Sequence, residues 1–291
     1  NSRDPDFQNY YFVASHIFAK KVDDNFEYYQ SIDMADSLEE VPVKGFAGTF
    51  DGQGHKIIGL SDIGYTPEAF VYASSTDVLN GYTFGLFGKV KGGATVKNLT
   101  FENVQVLGYY IDLTSGTPQK VTAEIDGAGS VIGYTFGEGT ITVENINVLS
   151  GFINGADGIG GIIGRAYHNG SLYVRNIVNR ATISSEGHTG GVVGYAVADV
   201  KEDETVKIGE IKFENIQNHG DIISSGSGSK RAGAIINYHG DAKTKDVYFI
   251  NCRNFGRIEG LYKKENNRYG MWNGKAGNYH DETCYNYGIL N

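Results

Sequence analysis

Several common features are scarce or missing in this chain of 291 residues. It has only 4 prolines and 2 cysteines, and no apolar run long enough to cross a membrane as a helix. The net charge is −9, and the basic residues form no cluster. Few prolines suit a chain of hydrogen-bonded strands. An acidic chain without a basic patch is not expected to bind nucleic acid or an anionic membrane.

Motifs of metal binding and nucleophilic catalysis are missing as well. The 7 histidines include no His-Glu-x-x-His pair, and no Cys/His spacing indicates a zinc site. The sequence has no nucleophile elbow and no phosphate-binding loop. It therefore predicts no metal site and no cofactor, and we expect a protein without catalytic activity.

What the chain has in abundance is glycine, 41 residues, arranged in a repeat. Each copy reads small, apolar, apolar, then Gly or Asn. The copies start at the small residues Gly85, Ser130, Gly161, Gly191, Ala234 and Gly270. Their fourth positions are Gly88, Gly133, Gly164, Gly194, Asn237 and Asn273. Self-similarity of this kind is typical of repeat architectures, in which each copy stacks on the next.

A second half follows in each copy, and it is most regular toward the C-terminus. There, one asparagine column and one apolar column recur in step. The asparagines are Asn179, Asn218, Asn254 and Asn286, and the apolar residues are Ile183, Ile222, Ile258 and Leu290. Apolar residues at steps of two and four, with Asn and Gly between them, predict short strands joined by tight turns. Helices fit poorly, because Gly and Asn would interrupt every helical turn.

The unequal spacing of the copies decides between repeat architectures. A propeller blade needs a more regular length, and a leucine-rich repeat needs leucine at every second or third position. The pattern therefore predicts an all-β fold, a right-handed parallel β-helix of about seven coils, in which each column stacks at roughly 4.8 Å per coil. We expect an N-terminal cap segment over residues 1–27 and the β-helix repeat domain over 28–291, as one structural domain.

The repeat also predicts which side chains face inward. Ile163 and Val193, or their neighbours Ile162 and Val192, should stack in the core. Cys252 and Cys284 share one inward column a single coil apart, a spacing too wide for a relaxed disulfide. We therefore predict two buried, stacked free thiols that behave as small apolar residues.

One stretch resembles a known family. It runs from Phe46 to Leu60, reads Phe-Ala-Gly-Thr-Phe-Asp-Gly-Gln-Gly-His-Lys-Ile-Ile-Gly-Leu, and is followed by Gly85-Leu86-Phe87-Gly88 and Val96-Lys97-Asn98-Leu99. In these motifs the chain resembles the bacterial GLUG-motif family over about residues 28–194, and more weakly to Asn291. Asn237 and Asn273 depart from the family's Gly. The resemblance implies a β-helical scaffold from secreted or surface-attached, adhesin-like bacterial proteins, and it implies no catalytic residues.

One pair of carboxylates could carry enzyme chemistry. Asp126 and Asp157 both lie four residues before the small position, in consecutive copies. In register, their carboxylates would stack about 5 Å apart, as in retaining glycoside hydrolases or at a shared cation. Both are followed by Gly, however, and Asp-Gly is favoured in turns for local reasons. The next copy has Gly187 at this position. We favour the turn and keep the catalytic pair as the alternative.

A second column combines aromatic and cationic side chains four residues after the small position. It consists of Tyr134, Arg165, Tyr195 and Tyr238. A guanidinium between tyrosines on an outer face can hold a sugar ring or a peptide. The same column could instead stack on itself and cover the strand backbone. We take it as the candidate binding ridge.

These observations leave three classes of function open. We expect a non-catalytic, adhesin-like module that binds carbohydrate or a host protein. A β-helical polysaccharide lyase or glycoside hydrolase and a passive structural stalk are the alternatives. We expect an extracellular or bacterial cell-surface location, with attachment by an N-terminal anchor lost before Asn1.

Overall fold

The structure is nearly all β-strand. The computed structural model describes residues 10–13, 16–22, 25–29, 46–62, 82–106, 109–112, 119–122, 125–197, 209–226, 231–238, 246–260, 270–273 and 278–290. Within these ranges there is no α-helix. The strands lie in stacked parallel sheets, and the chain visits four of these sheets in turn within each coil.

The first two sheets of a coil are built from short strands. The first sheet contains β7 (Tyr82–Phe84), β13 (Ile125–Ala128), β17 (Asp157–Gly160), β21 (His188–Gly190) and β25 (Arg231–Gly233). The second sheet contains β8 (Phe87–Lys91), β14 (Ile132–Phe136), β18 (Ile163–Tyr167), β22 (Val193–Val197), β26 (Ile236–Tyr238) and β29 (Trp272–Asn273).

The third sheet has the longest strands and the fourth closes the coil. The third contains β4 (Thr49–Asp51), β5 (Lys56–Ile58), β9 (Thr95–Glu102), β15 (Ile141–Val148), β19 (Leu172–Asn179), β23 (Ile211–Asn218), β27 (Asp246–Asn254), β30 (Asn278–Glu282) and β31 (Tyr285–Asn286). The fourth contains β6 (Ser61–Asp62), β10 (Val104–Val106), β16 (Gly151–Gly155), β20 (Thr182–Ser185), β24 (Ile222–Ser224) and β28 (Ile258–Glu259).

Each strand pairs in parallel with the equivalent strand of the next coil. In the second sheet, for example, Ile132 is opposite Ile163, which is opposite Val193. In the fourth sheet, Ile183 is opposite Ile222, which is opposite Ile258. This topology is consistent with a right-handed parallel β-helix and confirms the predicted fold class. The number of coils stays a prediction.

Two further sheets lie outside the coils. The N-terminal one is antiparallel and contains β1 (Tyr10–Val13), β2 (His16–Val22) and β3 (Asn25–Tyr29). The other is a pair, β11 (Tyr109–Asp112) with β12 (Gln119–Thr122). The boundary that we predicted between residues 27 and 28 falls inside β3 and therefore cuts through the N-terminal sheet. That this sheet caps the coils stays a prediction.

The core runs along the axis as stacked apolar columns. Ile162, Ile163, Val192 and Val193 are all fully buried, so both members of each apolar pair face the core. This is possible because the chain bends between the first and second sheets at this point. A fully buried side chain of this size stabilises the fold by roughly 1.5–3 kcal/mol. The predicted inward column is confirmed, with two residues per coil in place of one.

The glycine at the fourth repeat position has a steric reason. A Cβ on Gly164 would lie 2.4 Å from the backbone nitrogen of Ala128, and one on Gly194 would lie 2.4 Å from that of Ile159. Here the second sheet crosses the first sheet of the preceding coil, backbone against backbone. Only a residue without a side chain fits such a contact.

An outer ladder of asparagines bends each long strand of the third sheet. Its members have positive φ and are Asn98, Asn145, Asn176, Asn215 and Asn251. Their amides form a chain of hydrogen bonds from coil to coil, at 2.8–3.0 Å. Asparagine adopts this left-handed conformation more readily than most residues. The bend inverts the side-chain alternation, so that Val143 and Ile146 both face inward.

An inner ladder of asparagines ends the same strands. Asn179 donates to Asn218 at 2.9 Å, Asn218 donates to Asn254 at 2.7 Å, and Asn254 donates to Asn286 at 2.7 Å. Asn179, Asn218 and Asn254 are fully buried. Buried amides need such partners, because an unsatisfied polar group in the core is costly. The stacking of this column is therefore confirmed.

The last described coil changes the chemistry of two core columns. Asp281 is the partner of Phe249 in a column that otherwise holds Val143, Val174 and Phe213. Cys284 lies next to Cys252, whose backbone N–H is 3.4 Å from the Cys284 sulfur. Both thiols are free, as predicted, but only Cys252 is buried as predicted, and Cys284 is half-buried.

Candidate functional site

One polar cluster lies where the first and second sheets meet. Asp157 begins β17, Arg165 lies in β18, and His188 begins β21. Nη2 of Arg165 donates to Oδ2 of Asp157 at 2.8 Å. Oδ1 of the same carboxylate accepts the backbone N–H of Gly158 and both the backbone N–H and Nδ1 of His188, the last at 2.7 Å. One carboxylate thus binds four donors from three strands.

Glycines make room for this cluster. A Cβ on Gly158 would lie 2.5 Å from Cγ of Arg165, and one on Gly187 would lie 2.3 Å from Oδ1 of Asp157. Gly158 also has a φ of +64°, which favours glycine. The Asp-Gly pair therefore reflects more than turn geometry, because the glycine also leaves the space in which the arginine side chain lies.

Aromatic rings surround the ion pair. The ring of Tyr167 stacks between those of Tyr134 and Tyr195, at centroid distances of 5.5 Å and 5.4 Å. Cζ of Arg165 lies 5.9 Å from the Tyr167 ring and 5.8 Å from the Tyr195 ring, within cation–π range. The ring of His188 lies 4.3 Å from that of Tyr195. We call these residues the arginine cluster: Tyr134, Asp157, Arg165, Tyr167, His188 and Tyr195.

The electrostatics of the arginine cluster hold Asp157 in its charged form. Burial alone would raise the pKa of this carboxyl. The hydrogen bond from His188 and the charges of His188 and Arg165 outweigh burial and lower the pKa to about 2. Burial, and next the neighbouring Tyr195, raise the pKa of Tyr167. At neutral pH, Asp157 therefore has no proton to donate, and its oxygens are occupied by donors.

The binding ridge predicted from sequence is wrong in its exposure. Tyr134, Arg165 and Tyr195 are opposite one another in register, as predicted, but their exposed fractions are only 5%, 6% and 9%. Tyr238 is not opposite Tyr195, because the register shifts and pairs it with Ala196. The side chain of Tyr238 lies outside the described residues. The three stacked members thus form a buried cluster and no outer ridge.

For the proposed catalytic pair, the structure gives the backbone register but not the distance between the two carboxylates. Asp126 and Asp157 are opposite each other in the parallel register of β13 and β17, as predicted. The side chain of Asp126 lies outside the described residues, so the distance between the carboxylates stays a prediction. Asp157 belongs to the arginine cluster, and its partners Arg165 and His188 were not linked to it by sequence reasoning.

An exposed aromatic column lies elsewhere, at the turn between the third and fourth sheets. His219, Phe255 and Tyr287 stack face to face, with centroid distances of 4.5 Å and 5.2 Å and interplanar angles of 11° and 14°. Phe255 is 41% exposed and Tyr287 61%. Tyr285, 51% exposed, lies 6.1 Å from Tyr287. We call these four residues the aromatic corner.

The backbone fixes the aromatic corner in place. The N–H groups of His219, Phe255 and Tyr287 each donate to the carbonyl of an inner-ladder asparagine in the preceding coil. Exposed Arg180 occupies the same position one coil before His219. Sequence reasoning missed this column, although a signal was present. His219, Phe255 and Tyr287 each directly follow an asparagine of the inner ladder.

Two features are missing from the described part of the chain. No group of three or more His, Cys, Asp or Glu side chains there could hold a metal ion. Among the same residues, no helix is long and apolar enough to span a membrane.

Comparison with protein-family models, with curated proteins and with solved structures finds no match to this chain.

Proposed function

We propose that this chain is a non-catalytic, adhesin-like binding module of the bacterial cell surface, and that its ligand is a glycan bound at the aromatic corner. The observation that carries the proposal is the exposed stack of His219, Phe255 and Tyr287. Exposed aromatic side chains that form one surface are typical of binding sites, because they contribute large contact areas with little loss of conformational entropy.

The geometry of the corner suits a sugar chain better than a folded protein partner. Its rings are near parallel and stack face to face from coil to coil, so they present a row of ring edges along the axis. A polymer with a repeating unit can place successive units along such a row. A protein partner would instead require a broad patch with an apolar core and a polar rim.

The arginine cluster supports a function without catalysis. A retaining glycoside hydrolase needs one carboxyl group that donates a proton and one that attacks the sugar. Asp157 carries a pKa lowered to about 2, and four donors bind its oxygens. Such a carboxylate cannot donate the proton, and its oxygens are held by donors of the fold itself, which weakens it as the attacking group. A polysaccharide lyase or hydrolase that uses Asp126 and Asp157 remains the second candidate, favoured only by their register.

The extracellular location rests on the resemblance to GLUG-motif proteins. A β-helix that serves only as a stalk has no need for exposed stacked rings, since apolar groups are normally placed in the core. The aromatic corner therefore favours a binding module over a passive stalk. Surface attachment through a segment before Asn1 belongs to the same proposal.

A glycan array followed by affinity electrophoresis tests the proposal. The purified chain should bind at least one polysaccharide, and Phe255→Ala and Tyr287→Ala should each weaken binding about tenfold, which corresponds to about 1.4 kcal/mol. Ile58→Ala is the matched control, because Ile58 is 66% exposed and lies outside the corner. This variant should bind as the wild type does.

Three results would count against the proposal. The first is the absence of binding to any glycan together with capture of a defined host protein. The second is binding that survives both aromatic substitutions. The third is time-dependent cleavage of a polysaccharide that Asp126→Asn or Asp157→Asn abolishes, which would favour the enzyme.

A further inference from the structure

We infer that the glycan bound at the aromatic corner is acidic, a polysaccharide whose repeating units carry carboxylates. This inference rests on the proposed function and adds the chemical class of the ligand. It comes from two exposed arginines that border the corner, Arg180 and Arg253.

Both arginines lie close to the stacked rings along the backbone. Arg180 holds the corner position one coil before His219, since its N–H donates to Val148 as that of His219 donates to Asn179. Arg253 lies two residues before Phe255 on β27, and in register it is opposite Gln217 on one side and Tyr285 on the other. Arg180 therefore precedes the row of rings along the axis, and Arg253 lies beside it in the third sheet.

Neither guanidinium is neutralised by a carboxylate among the described residues. Nη1 of Arg180 lies 3.3 Å from Oδ1 of Asn147, and Nη2 of Arg253 lies 3.4 Å from Oδ1 of Asn251. Both acceptors are uncharged amides. The arginine donors can still bind a carboxylate with two parallel hydrogen bonds, which is the geometry that guanidinium favours.

Other arginines near the corner form ion pairs with carboxylates. Elsewhere on the third sheet, Arg175 pairs with Glu144. Next to the fourth sheet, Arg257 pairs with both Asp221 and Glu259. Asp221 and Glu259 are thus already occupied by Arg257. In a chain of net charge −9, the corner presents two arginines whose positive charge is not balanced by an ion pair in the described structure.

The pKa of His219 responds to the positive charge of Arg180 as well. Partial burial and then the positive charge of Arg180 lower the pKa of this histidine. An anionic ligand near Arg180 would relieve that repulsion. The corner thus combines a row of exposed aromatic rings with positive charge, which suits a sugar polymer that bears carboxylates.

The test compares acidic polymers with their neutral forms. Polygalacturonate, alginate and hyaluronate are each measured beside the same polymer with its carboxyl groups esterified, by affinity electrophoresis and titration calorimetry. At least one acidic form should bind about tenfold more tightly than its ester, and that affinity should fall with added NaCl. Arg180→Gln and Arg253→Gln should each weaken binding roughly threefold and reduce the salt dependence.

Arg175→Gln is the matched control, since it removes the same charge from an exposed arginine on the third sheet. It should leave the affinity and the salt dependence unchanged. Equal binding of an acidic polymer and its ester, or an equal effect of all three substitutions, would overturn the inference and leave a neutral glycan as ligand. Binding of neutral array glycans but of none of the three acidic polymers would overturn it in the same way. Failure to bind any glycan would overturn the proposed function as well.

Discussion

The arginine cluster and the aromatic corner are made of similar residues and have opposite exposure. Each stacks tyrosine and histidine rings beside arginine in successive coils. In the arginine cluster, Tyr195 is 9% exposed and Arg165 lies on a carboxylate. In the aromatic corner, Tyr287 is 61% exposed and Arg180 lies beside a neutral amide. The residue types of a column therefore do not decide whether it is buried or exposed.

The position of each column within the coil explains the difference. The arginine cluster lies where the first and second sheets cross at glycines, so neighbouring backbone covers its side chains. The aromatic corner lies at the turn between the third and fourth sheets, where side chains point away from the axis into solvent. The following three predictions test whether burial separates the two sites as this comparison requires.

The largest expected contrast comes from truncating one ring in each site. Tyr195→Ala should lower the free energy of unfolding by about 4 kcal/mol, because it leaves a cavity beside Arg165 and His188. Phe255→Ala should lower it by about 1 kcal/mol or less, since its ring is exposed. Urea denaturation of both variants checks this. Similar losses in the two variants would contradict the comparison.

Removing the carboxylate of the arginine cluster should have the next largest effect. Asp157→Asn removes a carboxylate that binds the nearly buried Arg165, and we expect a loss of about 3 kcal/mol in the free energy of unfolding. Glu102→Gln is the matched control, because its partner Lys56 is exposed and the pair should contribute less than about 1 kcal/mol. Glycan binding measured well below the melting temperature should be unchanged in both variants. Loss of glycan binding in Asp157→Asn alone would indicate that the arginine cluster, and not the aromatic corner alone, binds the glycan.

Acid should act on the arginine cluster through the same carboxylate. The pKa of Asp157 is about 2 in the folded chain and 3.8 ordinarily, so the folded state binds fewer protons between these values. Its contribution, about 2 kcal/mol, is present above pH 4 and is lost as the pH falls toward 2. The difference in stability between wild type and Asp157→Asn should shrink by this amount when both are denatured at pH 5 and at pH 2. Parallel stability curves would contradict the assigned pKa.

The parts of this structure that follow from repetition could be predicted from sequence. Ile163 and Val193 stack, and Asn179 reaches Asn218, because a residue type repeated at one coil position must lie over itself in a parallel solenoid. The register of Tyr134 with Arg165 follows in the same way. The position of a residue within the repeat therefore predicts which residues lie next to it along the axis.

Exposure could not be predicted in this way, because it depends on contacts between sheets. Tyr134 is buried although its column is polar and aromatic, and a single column carries no sign of what covers it. Tyr238 loses the register in the coil where Asn237 replaces the repeated glycine. The aromatic corner was missed because its members differ in type from coil to coil.

The carboxylate of Asp281 has a consequence for any strand that would continue the third sheet past β30. Among the described residues, β30 pairs with β27 on one side only. A strand added in register over β30, from the same chain or from another molecule, would meet a carboxylate in a column that otherwise holds Val and Phe. Burying a carboxylate under an apolar side chain is unfavourable. A strand with a polar or cationic residue at this position is therefore accommodated better than one that continues the column with Val or Phe.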